Sequence, residues 1–152
     1  MRETTIYPAT GEGASKGGIL YARGYKYQLR ENAIAESGVR PCELVQHEYF
    51  AIDTNGLILV RRGYAWDGAS SLAIDDPGTI YASLFHDVGY QAIRLNLIAD
   101  AWRLELDRMY ERLCIEGGVN RIRAKYHYLA LRFGGEQYNA MPEASYPTLA
   151  AP

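Results

Sequence analysis

His86, Asp87 and Tyr90 lie close together in a stretch, Ser83 to Gln91, whose pattern reads as helix. Positions i and i+4 of a helix share a face, so the His86 imidazole and the Tyr90 phenol point the same way. Asp87 is turned by about 100° and looks elsewhere. One short helix therefore presents an imidazole to one side and a carboxylate to another. That arrangement suits a general base beside a metal, and it equally suits a buried polar cluster. Asp107, on the flank of an apolar stripe that includes Leu106 and Met109, adds a second carboxylate. Burying it unpaired would be costly, so it is half-buried or faces a partner. If that partner is His86, the carboxylate fixes the imidazole's tautomer and leaves the other ring nitrogen to take a proton. Tyr90, one turn along, can donate its hydroxyl to the same carboxylate.

The elements that must bring these groups together can be read from pattern. The first long helix runs from near Thr79 to Leu95 and the second from near Ala99 to Glu116, stopping at Gly117-Gly118. Ala99, Trp102, Leu106, Met109 and Leu113 recur at helical spacing in the second, so that face is core. The short connection makes the two helices antiparallel neighbours and can place position 86 opposite position 107. A third helix has Asn120 as N-cap, a stripe of Ile122, Tyr126, Leu129, Ala130 and Phe133, and a stop at Gly134-Gly135. Upstream, Ile19–Ala22 and Tyr25–Leu29 read as short strands broken at Gly24. Residues 30–41 are polar and carry no clear signal. Leu44–Ile52 alternates as a strand, Asp53-Thr54-Asn55-Gly56 is a tight turn, and Leu57–Val60 completes a hairpin. The sequence thus divides into a flexible arm over 1–18, one α+β domain over 19–135 (β-rich over 19–66, helical over 79–134), and a tail over 136–152 with Pro142, Pro147 and Pro152.

Composition bounds the function classes. The chain has 152 residues, 48% hydrophobic and 22% charged, enough for one domain with a core. Lys+Arg 16 against Asp+Glu 18 gives a net charge of −2, so no nucleic-acid partner is expected from bulk charge. No signal peptide and no transmembrane segment are read. Cys42 and Cys114 are far apart and read as free thiols in a reducing compartment.

Asp87, facing away from the imidazole, calls for a cation, and Asp67 in the preceding loop is the natural second ligand. Two carboxylates with loop carbonyls freed by Gly63 and Gly68 make an oxygen-only shell of the kind calcium takes. Zinc is disfavoured, since no Cys or second His stands at ligand spacing. Calcium beside a His–Asp pair would allow ester hydrolysis without a serine nucleophile.

The run Asp67-Gly68-Ala69-Ser70, then His86-Asp87 with Gly89-Tyr90, then Arg103 and Asp107, resembles the core of the prokaryotic type of phospholipase A2. The run Ala124 to Gly134 resembles the closing helix of those enzymes. The same signature is similar to a phage and prophage family that carries the label of a domain of unknown function. That second likeness extends from Tyr25 to Gly135 and is the closer of the two. The pattern gives a small antiparallel β-sheet packed beside a three-helix core, and the phospholipase resemblance implies that this core holds a phospholipase A2-like antiparallel helix pair. It implies His86 as general base, Asp107 as its orienting partner and Tyr90 as support for Asp107. Asp67 and Asp87 become calcium ligands through their side chains, and Gly68 one through its carbonyl. A cysteine pair that staples the metal loop in the secreted enzymes falls here on Ala69 and Ser83, so that staple is missing. The β-rich part up to Val60 has no phospholipase counterpart.

Two functions follow as expectations. The first is a phage-encoded, calcium-dependent ester hydrolase working at a phospholipid membrane surface. The second is a non-catalytic phage structural or tail-associated protein, partnered by other phage structural proteins, that keeps the His/Asp cluster as a brace. Either places the chain in the host cytoplasm or the virion. The blander readings stand beside them: a His86–Asp107 pair that merely joins two helices, Asp87 salt-bridged to Arg94 or Arg103, and Asp67 as a turn residue. His47, read in a strand, and His127, in the third helix, are taken as structural. A metal set of His47, His86-Asp87 and Asp107 would need the first histidine on a helix.

Overall fold

The chain forms an α+β fold, seen in a computed structural model that describes residues 14–16, 21–22, 27–68 and 76–139. Among the described residues eight short strands precede three helices. The strands are β1 (Ala14–Lys16), β2 (Tyr21–Ala22), β3 (Tyr27–Leu29), β4 (Asn32–Glu36), β5 (Val45–Gln46), β6 (Phe50–Ile52), β7 (Leu57–Val60) and β8 (Ala65–Trp66). The helices are α1 (Pro77–Arg94), α2 (Arg103–Glu116) and α3 (Arg121–Asn139). One sheet has the order β1-β4-β7-β6-β5 and the other the order β2-β3-β8. Every pairing is antiparallel except that of β1 with β4.

The two sheets are limbs of one ribbon. Tyr27 pairs with Trp66 and Gln28 with Ala65 in the smaller sheet, and Ala33 pairs with Val60 and Ile34 with Leu59 in the larger. Residue numbers across the ladder sum to the same value on both sides, so the register carries through the corner. There Leu29 N–H donates to the Tyr64 carbonyl at 2.8 Å and Gly63 N–H to the Leu29 carbonyl at 2.9 Å.

Several expectations need correcting. Residues 14–16, assigned to the arm, form β1; the rest of the arm, and positions 19, 20, 25 and 26 of the first two expected strands, lie outside the described residues. The unassigned stretch 30–41 contains β4, an interior strand of the larger sheet whose Ala33, Ile34 and Ala35 are buried. Leu44–Ile52 is two strands, β5 and β6, folded back on each other. The reversal contains His47, so His47 is a turn residue rather than a strand residue. Its Nδ1 accepts from Tyr49 N–H at 3.3 Å, and the Arg61 guanidinium donates to the His47 and Phe50 carbonyls at 2.7 and 3.1 Å. The chain reverses there without Gly or Pro because a distant arginine satisfies its carbonyls. The Asp53–Gly56 turn forms as read: Asp53 Oδ1 accepts from Asn55 N–H and Leu57 N–H, and Gly56 takes φ +97°.

α1 starts at Pro77, two residues ahead of the expected Thr79, because Asp76 caps it. The Asp76 carboxylate accepts from Thr79 N–H, the Asp76 N–H donates to Thr79 Oγ1, both at 2.9 Å, and Pro77 occupies the first turn. α2 is shorter than expected, because residues 100–102 form a 3-10 turn before it. Asn120 caps α3, accepting from Ile122 N–H at 2.8 Å. The helix does not stop at Gly134-Gly135: it continues to Asn139, so the first residues of the expected tail are helical and the remainder lies outside the described residues. The stripe on α3 faces outward. Ile122 is 82% and Phe133 89% exposed, while Ala124 and His127 face the core.

α1 and α2 pack antiparallel and very close. A Cβ added at Gly89 would come within 2.2 Å of Leu106 Cδ2, and one at Gly117 within 2.7 Å of Gly78 Cα. Leu106 is fully buried and cannot swing clear. Gly89→Ala is therefore expected to destabilise the fold by about 1–3 kcal/mol. Chemical denaturation reads this directly, and an unchanged midpoint would mean the helices can part without cost.

Candidate functional site

His86 and Tyr90 leave α1 on the face turned toward α2, where Asp107 is fully buried. His86 Nε2 lies 2.8 Å from Asp107 Oδ1, and the Tyr90 hydroxyl donates to the same oxygen at 2.7 Å. The His86 and Tyr90 rings lie 4.3 Å apart, and Tyr110 meets the imidazole edge-on at 5.4 Å. The other carboxylate oxygen, Asp107 Oδ2, accepts from Arg132 of α3 at 2.8 Å. All three helices thus converge on one carboxylate.

Burial alone would raise the Asp107 pKa, but hydrogen bonds from His86, Tyr90 and Arg132, with the His86 charge, bring it below the ordinary carboxylate range. Asp107 is therefore ionised and an acceptor. His86 Nε2 must carry the proton it shares with Oδ1, which leaves Nδ1 as the basic nitrogen. Tyr90 is pushed the other way, first by burial and then by the Asp107 charge, so it remains a neutral donor.

Asp87 sits in a different environment. It is buried, and among the described residues its carboxylate forms no hydrogen bond. Burial drives its pKa well above the ordinary carboxylate range; the Arg94 charge opposes this and the Asp67 charge adds to it. Asp67 is exposed, next to a buried Gly68 whose φ is +80°. Its charge reaches Asp87, so the two carboxylates share one neighbourhood, displaced from the His86–Asp107 pair as their helical phase requires. Arg94, one of the two arginines considered for Asp87, is the cation near it; Arg103 instead lies near Tyr90.

The cysteine staple expected to be missing has a non-covalent substitute nearby. Trp66 Nε1, at the start of the Asp67 loop, donates to Ser83 Oγ at 3.0 Å, and Ser83 Oγ donates to the Ile80 carbonyl at 2.8 Å. Ala69 and Ser70 lie outside the described residues. Cys42 is exposed and Cys114 buried, both as free thiols; burial first of all raises the Cys114 thiol to about 12, which makes it inert. His127 is buried against Tyr110 with ring centroids 6.2 Å apart, its Nδ1 has no hydrogen-bond partner among the described residues, and its pKa is held down first by burial and then by Arg123.

Comparison with known proteins adds no relative. No family model, no curated protein and no solved structure matches the chain.

Among the described residues no group of three or more His, Cys, Asp or Glu side chains could hold a metal ion. Asp67 and Asp87 offer two carboxylates, and Gly68 a carbonyl, all hard oxygen donors. A buried carboxylate with no hydrogen bond among the described residues, raised further by the charge of a second carboxylate, is one that a hard divalent cation would relieve. Arg132 is the site residue that the sequence does not reveal. Its position beside the apolar stripe of the third helix carries no local signal that it reaches a buried aspartate.

Proposed function

We propose that the chain is a calcium-dependent ester hydrolase of phospholipase A2 type, phage-encoded, acting on the ester bonds of membrane phospholipids from the host cytoplasm or the virion. The observation that carries this reading is the His86–Asp107–Tyr90 hydrogen-bond set, which leaves His86 Nδ1 as the nitrogen able to accept a proton. In the reaction Nδ1 removes a proton from water, and the hydroxide oxygen bonds to the ester carbonyl carbon. The tetrahedral intermediate then breaks its bond to the alcohol oxygen, which leaves with the proton from His86. Asp107 remains ionised throughout and stabilises the imidazolium, while Tyr90 fixes the carboxylate's orientation. Asp67, Asp87 and the Gly68 carbonyl would hold calcium, which supplies polarisation of the ester carbonyl.

A specific observation favours a second reading. Asp107 is fully buried and tied to His86, Tyr90 and Arg132, so it joins α1, α2 and α3 whether or not turnover occurs. As a phage structural or tail-associated protein the chain would use the same cluster as a brace.

The deciding experiment is fatty-acid release from mixed phospholipid vesicles with calcium, with chelator, and with His86→Gln. Calcium-dependent release that falls at least about 100-fold in the variant is expected for a lost general base. No release from folded protein in any condition would leave the brace reading standing.

A further inference from the structure

The outward stripe of α3 is the largest feature the proposed chemistry does not use. Ile122, Tyr126, Leu129 and Phe133 are 82%, 62%, 44% and 89% exposed. Their spacing of four, three and four residues is that of alternating seam positions in a coiled coil. At about 100° per residue the four side chains fall within an arc of about 60°, opposite the buried Ala124 and His127.

We infer that this face docks a second copy of the chain, α3 against α3, antiparallel about a two-fold axis. An isologous contact must be complementary to itself. With the axis between residues 127 and 128, Ile122 of one copy faces Phe133 of the other, and Tyr126 faces Leu129. Each contact therefore sets an aromatic ring against a branched aliphatic side chain.

The rim decides among occupants. The segment Arg121–Phe133 contains no Asp or Glu and four Arg or Lys, a balance that by itself points to an anionic surface. Three of the four are already matched within the chain: Arg123 to Asp76, Lys125 to Glu111 at 3.6 Å, and Arg132 to Asp107 at 2.8 Å. Matched cations repel a second copy little and attract an anionic bilayer little. A seam about 60° wide also suits one helix better than a bilayer plane, which calls for a broad apolar face. A fully buried aromatic side chain contributes roughly 150–250 Å², so Tyr126 and Phe133 with the two smaller aliphatic side chains supply at most roughly 600 Å² per copy. Two copies then bury at most roughly 1,200 Å², the lower edge of the range for specific interfaces. The dimer is accordingly concentration-dependent.

Sedimentation across a concentration series tests this with the full chain. Wild type is expected to move from the mass of one chain to that of two. Ile122→Lys and Phe133→Glu, each at an exposed position, are each expected to remain monomeric with unchanged circular dichroism. Mixing the two variants is expected to restore a dimer, because the antiparallel register sets Lys against Glu at one end and leaves Ile122 against Phe133 at the other. A wild type that stays monomeric at every concentration overturns the inference. So do variants that dimerise like wild type, a mixture that fails to recover, or a monomer that uses this face to bind phosphatidylglycerol vesicles. None of these outcomes depends on ester hydrolysis.

Discussion

Asp107→Ala is expected to lower stability by about 3–5 kcal/mol, the cost of stripping one partner from a buried, charged network. In a chain of this length that is a fall of roughly 6–20 °C in melting temperature. The variant leaves the Tyr90 hydroxyl, one His86 nitrogen and the Arg132 guanidinium facing a void where they now meet one carboxylate. Acid sensitivity should change with it. The folded pKa of Asp107 lies below its ordinary value of 3.8, so its contribution is complete above that value and is lost as pH falls through the folded pKa. Wild type should lose this increment in the acid limb below about pH 4, and Asp107→Ala should have none to lose. Thermal melts of both proteins from pH 7 down to pH 3 measure it. A difference that stays constant across that range would mean that folding does not lower the pKa of this carboxylate.

Asp87→Asn is expected to act in the opposite direction. The folded pKa of Asp87 is raised, so its ionisation in the folded protein costs stability as pH climbs from the ordinary carboxylate value toward the folded one. In chelator near neutral pH, the neutral amide should melt higher than wild type. Calcium should reverse the order. At a concentration 100-fold above its Kd, a ligand confined to the native state adds about 2.7 kcal/mol, or roughly 5–10 °C here. Wild type should show that rise, more strongly as pH increases because the ion must displace a proton, and Asp87→Asn should show none. Melts of the two proteins in calcium and in chelator, at two pH values, provide the comparison. An equal calcium response in both would remove Asp87 from the ligand set.

How far the sequence reaches differs from element to element. α1 and α2 are legible from their long apolar period and from Gly117, which closes α2; the Asp76–Pro77 opening of α1 falls two residues ahead of the start that the period suggests. From those two helices alone, the placing of His86 opposite Asp107 follows. β4 is not legible, because only Ala33, Ile34 and Ala35 between polar flanks become buried, and the sheet rather than local propensity makes them a strand. The fold-back between β5 and β6 is hidden for a similar reason: it rests on Arg61, well downstream. On α3 the period identifies the helix but not which way its stripe faces. Two helical faces compete there, and the one bearing the small Ala124 packs inward. Arg132 as a ligand of Asp107 is a consequence of that docking and has no trace in spacing.

The ribbon that unites the two sheets leaves little slack for insertion or deletion. Its ladder keeps one count from the β4–β7 pair through the corner to β3 and β8, and Asp67 follows β8 directly. Side chains alternate faces along a strand, so losing one residue at the corner would turn the whole distal limb over. Trp66 would leave Ser83 and swing toward solvent, and the carboxylate of Asp67 would be carried off with it. The length of the two connections at the bend is therefore a ruler for the site: they must be lengthened or shortened together, or not at all.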